Sequence, residues 1–159
     1  MQTRHRLGSL LITAALAMAA VTTVFAADPA LGTWQLNLAK SSFSPGPPPK
    51  AQTRIYTESA QGITLTVNST AADGKESTTT LTFKGDGTPV PVSGNPNFDT
   101  VSVKSISARS VKATQMRAGV TVGTAVRTVS KDGKTLTYKA SGTDAKGAKY
   151  SSVEVYDRQ

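Results

Sequence analysis

From Gly32 to the end of the chain, apolar and polar residues alternate in short runs with a period of two, the spacing of half-buried strands. Trp34, Leu36 and Leu38 alternate with Thr33, Gln35 and Asn37 in the first run. Residues 54–58 predict a second strand, and Gln61-Gly62 turns it into a third, where Ile63, Leu65 and Val67 alternate with threonines. Residues 77–84 follow with Leu81 and Phe83 on one face. Residues 100–106 place Val101 and Val103 inward, and residues 110–117 place Val111 and Ala113 on one side. In the run 120–130, Gly123, Ala125, Arg127 and Val129 share a face. Leu136, Tyr138 and Ala140 alternate in the next strand, and residues 150–156 put Val153 and Val155 on one face. These are nine strand candidates, and no stretch after residue 26 keeps a helical period.

The punctuation between the runs is of hairpin type. Asp73-Gly74, Gly85-Asp86-Gly87, Ala118-Gly119, Asp132-Gly133 and the turn at 144–147 each supply a glycine that tolerates a tight reversal. Consecutive hairpins predict a meander, and a meander protects its edges most simply by closing into an up-and-down barrel. Two proline-rich segments interrupt it. Residues 41–50 predict an extended arm across the mouth or base of the barrel, anchored by Phe43. Residues 88–97 predict a long loop, because Pro89, Pro91 and Pro96 are incompatible with a central strand. The expected fold is all-β: one antiparallel barrel of about 8–10 strands.

The first residues have a different character. Arg4, His5 and Arg6 precede a mostly apolar run over 7–25, and Val24-Phe25-Ala26 puts small residues where a signal peptidase reads. Residues 1–26 are expected to be a signal peptide cleaved after Ala26, with 27–159 as a single barrel domain, periplasmic or secreted and not embedded in a membrane. The alternative for the leader is a retained anchor. No cysteine is present, which excludes lipoprotein attachment and leaves stability to sheet hydrogen bonds and apolar burial.

Composition narrows the chemistry. His5 is the only histidine, so Ser-His-Asp and Cys-His catalysis and the usual zinc sites are excluded from the barrel. Neither a metal nor a cofactor is expected. Residues 27–159 carry a net charge of +6, but their lysines are spread singly, without basic runs or interleaved aromatics, so nucleic acid is not an expected partner. The turns Asp73-Gly74-Lys75 and Asp132-Gly133-Lys134 carry too few acids for calcium loops. Outward positions are Thr, Ser and Lys, which argues against a membrane-spanning barrel.

Gly32-Thr33-Trp34 at the head of the first strand resembles the G-x-W signature of the calycin superfamily, the lipocalins and fatty-acid-binding proteins. Segments 44–49, 92–96 and 130–137 are similar to S-P-G-P-P-P, V-S-G-N-P and S-K-D-G-K-T-L-T segments of small secreted bacterial lipocalin-like proteins. The resemblance implies a barrel in which Gly32 and Trp34 form a structural plug at one end, with the indole packed against a late arginine, Arg127 or Arg158. It also implies a non-enzymatic protein that binds a small, mostly hydrophobic ligand. Two features differ from fatty-acid-binding proteins. The proline arm stands where they carry a helical lid, and the last strand reads Tyr156-Asp157-Arg158, whereas their carboxylate-holding R-x-Y order occurs here at Arg54-Ile55-Tyr56.

Candidate ligand contacts are Tyr56, Phe83, Arg127 and Tyr138. The alternative is a filled barrel with no ligand, acting as an envelope structural or protein-interaction module through its loops. An enzyme would need two acids converging inside the barrel, and the alternation sets most of the strand-borne acids outside.

Overall fold

The computed structural model describes residues 27–159; the expected signal peptide, 1–26, lies outside the described residues. Eleven strands follow one another: β1 (Gly32–Leu36), β2 (Ser42–Ser44), β3 (Ala51–Ser59), β4 (Gly62–Thr70), β5 (Glu76–Phe83), β6 (Asp86–Pro91), β7 (Thr100–Ser107), β8 (Ser110–Arg117), β9 (Val120–Val129), β10 (Thr135–Thr143) and β11 (Lys149–Arg158). Ten of them form one antiparallel sheet in the order β5-β4-β3-β1-β11-β10-β9-β8-β7-β6, and β2 adds to β11. Among the described residues the only helical element is a 3-10 turn at Leu38–Lys40.

The sheet curls until its two ends meet. β5 meets the segment just after β6 through one reciprocal backbone pair: the Thr80 amide donates to the Ser93 carbonyl and the Ser93 amide to the Thr80 carbonyl, each at 3.0 Å. Every other seam is an antiparallel ladder, with register shifts in β6–β7, β7–β8 and β8–β9. The alternation read from the sequence puts Leu65, Leu81, Phe83, Val101, Val103 and Val111 inside. One end of the barrel is closed by large buried side chains, chiefly Trp34, Leu136, Val129 and Tyr156.

Two segments depart from the expected picture. Residues 86–91 form a strand, not a loop. Pro89 and Pro91 are tolerated because β6 is the last strand of the path and pairs only with β7, so their missing amides face no partner. Within 41–50, three residues pair with β11 before the prolines begin, and Phe43 packs onto the core.

A third point concerns β11. The sequence puts Val153 and Val155 on one face without saying which way it points; the structure turns it outward, with Val153 exposed, and points Ser152, Glu154 and Tyr156 inward. The outer face is apolar at Val155 because the turn before β2 covers it: Asn37 donates its amide to the Val155 carbonyl, and Ser41 Oγ accepts from the Val155 amide at 2.9 Å. The inner face tolerates an acid because an arginine awaits it.

Candidate functional site: a cavity with a polar floor

The barrel is hollow. A cavity of about 440 Å³ occupies its interior, where the filled-barrel alternative expects packed side chains. The mouth is rimmed by Phe43, Pro45 and Pro47 of the proline arm, by residues 94–98, and by Tyr150 and Ser151 at the start of β11. The walls are apolar, from Leu65 and Val67 on β4 through Leu81 and Phe83 on β5 to Val101 and Val111.

The floor is built from polar side chains on four strands. Arg54 extends inward from β3, and its Nη2 lies 3.4 Å from Glu154 Oε2 on β11. Its guanidinium carbon sits 3.8 Å from the centre of the Tyr138 ring and 5.2 Å from that of Tyr156, so the cation is sandwiched between phenols. Burial disfavours the Arg54 charge, but the oxygens of Tyr156, Tyr56, Glu154 and Tyr138 outweigh it and hold the pKa well above the ordinary arginine value. Glu154 is also bonded by Ser152 Oγ at 2.8 Å and by the Tyr156 hydroxyl, which contacts Gln52 as well.

Arg127, from β9, forms the second half of the floor. Its Nη2 bonds both carboxylate oxygens of Asp28 at 3.2 Å, and its guanidinium carbon lies 5.3 Å from the Tyr56 ring centre. Arg127 Nε and Nη1, together with Arg54 Nε, are buried without a hydrogen-bond partner. Buried donors are nearly always paired, and leaving one unmet costs about 1–3 kcal/mol. Both arginines line the cavity, and these three atoms are the donors of its floor that the described residues leave unmet.

Towards the mouth, Gln115 links two phenols. Its Nε2 donates to the Tyr138 hydroxyl at 3.2 Å, and its Oε1 accepts from the Tyr150 hydroxyl at 2.7 Å. Gly123 and Gly142 face each other across β9 and β10 and leave the space this requires: a Cβ on Gly123 would sit 2.6 Å from Gln115 Oε1 and 3.0 Å from the Tyr150 oxygen. Burial pushes the Tyr138 phenol up to about 12 and raises Tyr150 and Tyr156 too. All three stay protonated at physiological pH. The Tyr138 hydroxyl, having accepted from Gln115, keeps its own proton free of any acceptor among the described residues.

All four residues named as candidate contacts, Tyr56, Phe83, Arg127 and Tyr138, line the cavity. Sequence reasoning missed Glu154, Gln115, Tyr150 and Asp28. The sequence sets most of the strand-borne acids outside without singling out Glu154, and the valines of β11 give no sign that its other face is the inner one. The two glycines at matching positions of adjacent strands were the available signal for the Gln115–Tyr150 contact.

Trp34 lies beyond the floor, fully buried, with its Nε1 donating to the Ala30 carbonyl at 2.7 Å. Of the two arginines considered for it, Arg158 stacks on the indole, 4.3 Å from the ring centre. Arg158 then bonds the carbonyls of Gly133, Leu31 and Pro29, tying the start of the chain across the barrel end. Gly32 adopts φ +118, and a Cβ there would come within 3.0 Å of Arg158 Nη1. The glycine and tryptophan of G-x-W thus serve one contact: one clears the path of the guanidinium, the other receives it.

No protein-family model matches the chain, and no curated protein does. Among solved structures it is similar to the zebrafish ileal bile acid-binding protein complexed with cholic acid, at 9% sequence identity and a TM-score of 0.47 over 82% of this chain and 99% of that one. The strand order, the single loose seam and the Trp34–Arg158 closure make the fold one all-β antiparallel barrel.

Proposed function

We propose that this protein binds a small, mostly apolar molecule carrying one anionic or acceptor-rich group, with the apolar part against the β4, β5 and β7 walls and the polar group on the floor. The observation that carries the reading is the set of unpaired N–H groups on Arg54 and Arg127 beneath an apolar cavity. The cavity volume falls within the range of about 300–1,000 Å³ usual for small-molecule sites. Desolvation of the ligand supplies affinity, and a charge-assisted hydrogen bond to Arg127 sets its orientation. The reading is of a binding protein and not an enzyme: among the described residues the cavity wall offers one carboxylate, Glu154, already engaged by three partners. We propose further that it works outside the cytoplasm after loss of residues 1–26, on the strength of the basic, apolar and small-residue order of that segment.

The test uses a matched pair of fluorescent probes. Anilinonaphthalenesulfonate carries a sulfonate, and N-phenylnaphthylamine is its uncharged counterpart. Both are expected to bind, and Arg127→Met should weaken the sulfonate by about 10- to 100-fold, the value of a hydrogen bond to a charged group, while sparing the neutral probe. Equal weakening of both, or no binding of either to the folded protein, would overturn the reading. Native mass spectrometry of the protein from its own source adds the identity of any bound molecule and the mass of the processed chain.

A further inference from the structure

We propose that the outer face of strands β7–β10 docks on a negatively charged lipid bilayer. The register of the sheet gathers lysines that are far apart in sequence. Lys104 on β7 stands directly opposite Lys112 on β8, Lys112 opposite Val126 on β9, Val126 opposite Lys139 on β10, and Lys139 opposite Val153 on β11. Three exposed ammonium groups therefore share one cross-strand row spanning about 14 Å of the barrel wall. The neighbouring row is all hydroxyl: Ser102, Thr114, Thr124 and Ser141.

Among the described residues these three lysines make no ion pair, and a single acid, Asp86, meets the row at its Lys104 end. The ion pairs among the described residues use Lys40, Arg54, Lys75 and Arg127. Asp86, opposite Lys104 in register, directs its carboxylate to the Thr88 amide at 2.8 Å. Like charges directly opposite one another destabilise a sheet, so the Lys104–Lys112 pair is a local cost that one acid, Asp86, offsets only at the Lys104 side. A strand of this barrel does not require it. On the outer face of β3–β5, the middle positions 53–57, 64–68 and 78–82 present only Thr, Ile and Asn.

The face also carries exposed aliphatic side chains. Ile106, two residues beyond Lys104, is 55% exposed, and Val153 closes the row at 36%. Ammonium groups beside aliphatic groups match the headgroup layer of a bilayer, where charge meets phosphate and the aliphatic groups reach the acyl boundary. A nucleic acid would call instead for stacking aromatics, and none of these outward positions holds one. The proposal does not depend on the cavity's ligand.

Residues 27–159 contain every strand, core residue and ion pair described, and are the species to test. The experiment is flotation with phosphatidylcholine vesicles with and without phosphatidylglycerol, at low and high salt. Binding is expected only to the anionic vesicles and only at low salt. Replacing Lys104, Lys112 and Lys139 together by Gln should reduce it about a hundredfold, at roughly fivefold per lysine. Replacing Lys50, Lys75 and Lys131 by Gln removes the same charge elsewhere and should leave most of the binding. If the first triple variant does not fold, Lys139→Gln alone, flanked by two valines, should still show the fivefold loss. Absence of binding to anionic vesicles, or equal loss in the two triple variants, would overturn the proposal. So would binding of a duplex oligonucleotide, lost in the first variant, without vesicle binding.

Discussion

Trp34→Ala tests the closed end of the barrel. The indole is fully buried, donates to the Ala30 carbonyl at 2.7 Å and carries the Arg158 guanidinium 4.3 Å from its centre. Deleting a buried Trp or Phe side chain costs about 3–5 kcal/mol in transfer and cavity terms. Here the Ala30 carbonyl loses its donor, about 1 kcal/mol, and Arg158 loses its aromatic face, about 0.5–1 kcal/mol. The expected loss is therefore in the upper half of that range, about 4–5 kcal/mol, a large share of the 5–15 kcal/mol that holds a typical domain. The assay is urea unfolding followed by far-UV circular dichroism, since the variant has no tryptophan to report. With a slope of about 1.5–2 kcal/mol per molar, the midpoint should fall by about 2–3 M. Trp34→Phe keeps much of the volume and the aromatic face but not the N–H, and should lose only about 1–2 kcal/mol. A loss below about 1 kcal/mol for Trp34→Ala would mean that the indole does not close the barrel.

Asp28→Asn should destabilise by about 3 kcal/mol, because it leaves the Arg127 cation buried without its counter-charge; the same urea titration measures it. The Tyr138 phenol, raised from 10.0 to about 12, holds its proton more tightly in the folded state, so its contribution is complete below about pH 10 and lost as pH rises towards 12. Its phenolate absorbance, isolated by difference from Tyr138→Phe, should thus be missing from the folded protein at pH 10; its presence there would refute the buried placement. Gly94→Ala would drive a Cβ into the Thr78 carbonyl and open the β5–β6 seam. Hydrogen exchange should then speed up at the Thr80 and Ser93 amides and leave those of β9 and β10 unchanged.

Strands whose two faces differ sharply were legible from the sequence. In β4 and β5, threonines alternate with Leu65, Val67, Leu81 and Phe83, and the apolar face is the inner one. β11 broke the rule because both of its faces are mixed. The valines outside and Glu154 and Tyr156 inside cannot be ranked until Arg54, some hundred positions earlier, is seen across the barrel from them. Asp28 was invisible for the same reason: its partner lies on β9, and no local pattern links them. Lys104, Lys112 and Lys139 looked scattered along the chain, and only the pairing register makes them a row. Periodicity reports which residues share a face, whereas charge pairs across a barrel depend on strand order.

Why the interior stays open follows from where the bulk is spent. The largest buried side chains, Trp34, Tyr156, Leu136 and Val129, gather at the closed end. The inward residues of β7 to β9 above them are short, Val101, Val103, Val111, Ala113 and Ala125, and cannot reach across. The existing pairings with Glu154 and Asp28, and the stacking on Tyr138 and Tyr56, satisfy the Arg54 and Arg127 cations from one side only. The closed end thus takes up the bulk, and the short wall leaves room above a floor whose two arginines still hold three buried N–H groups without a partner.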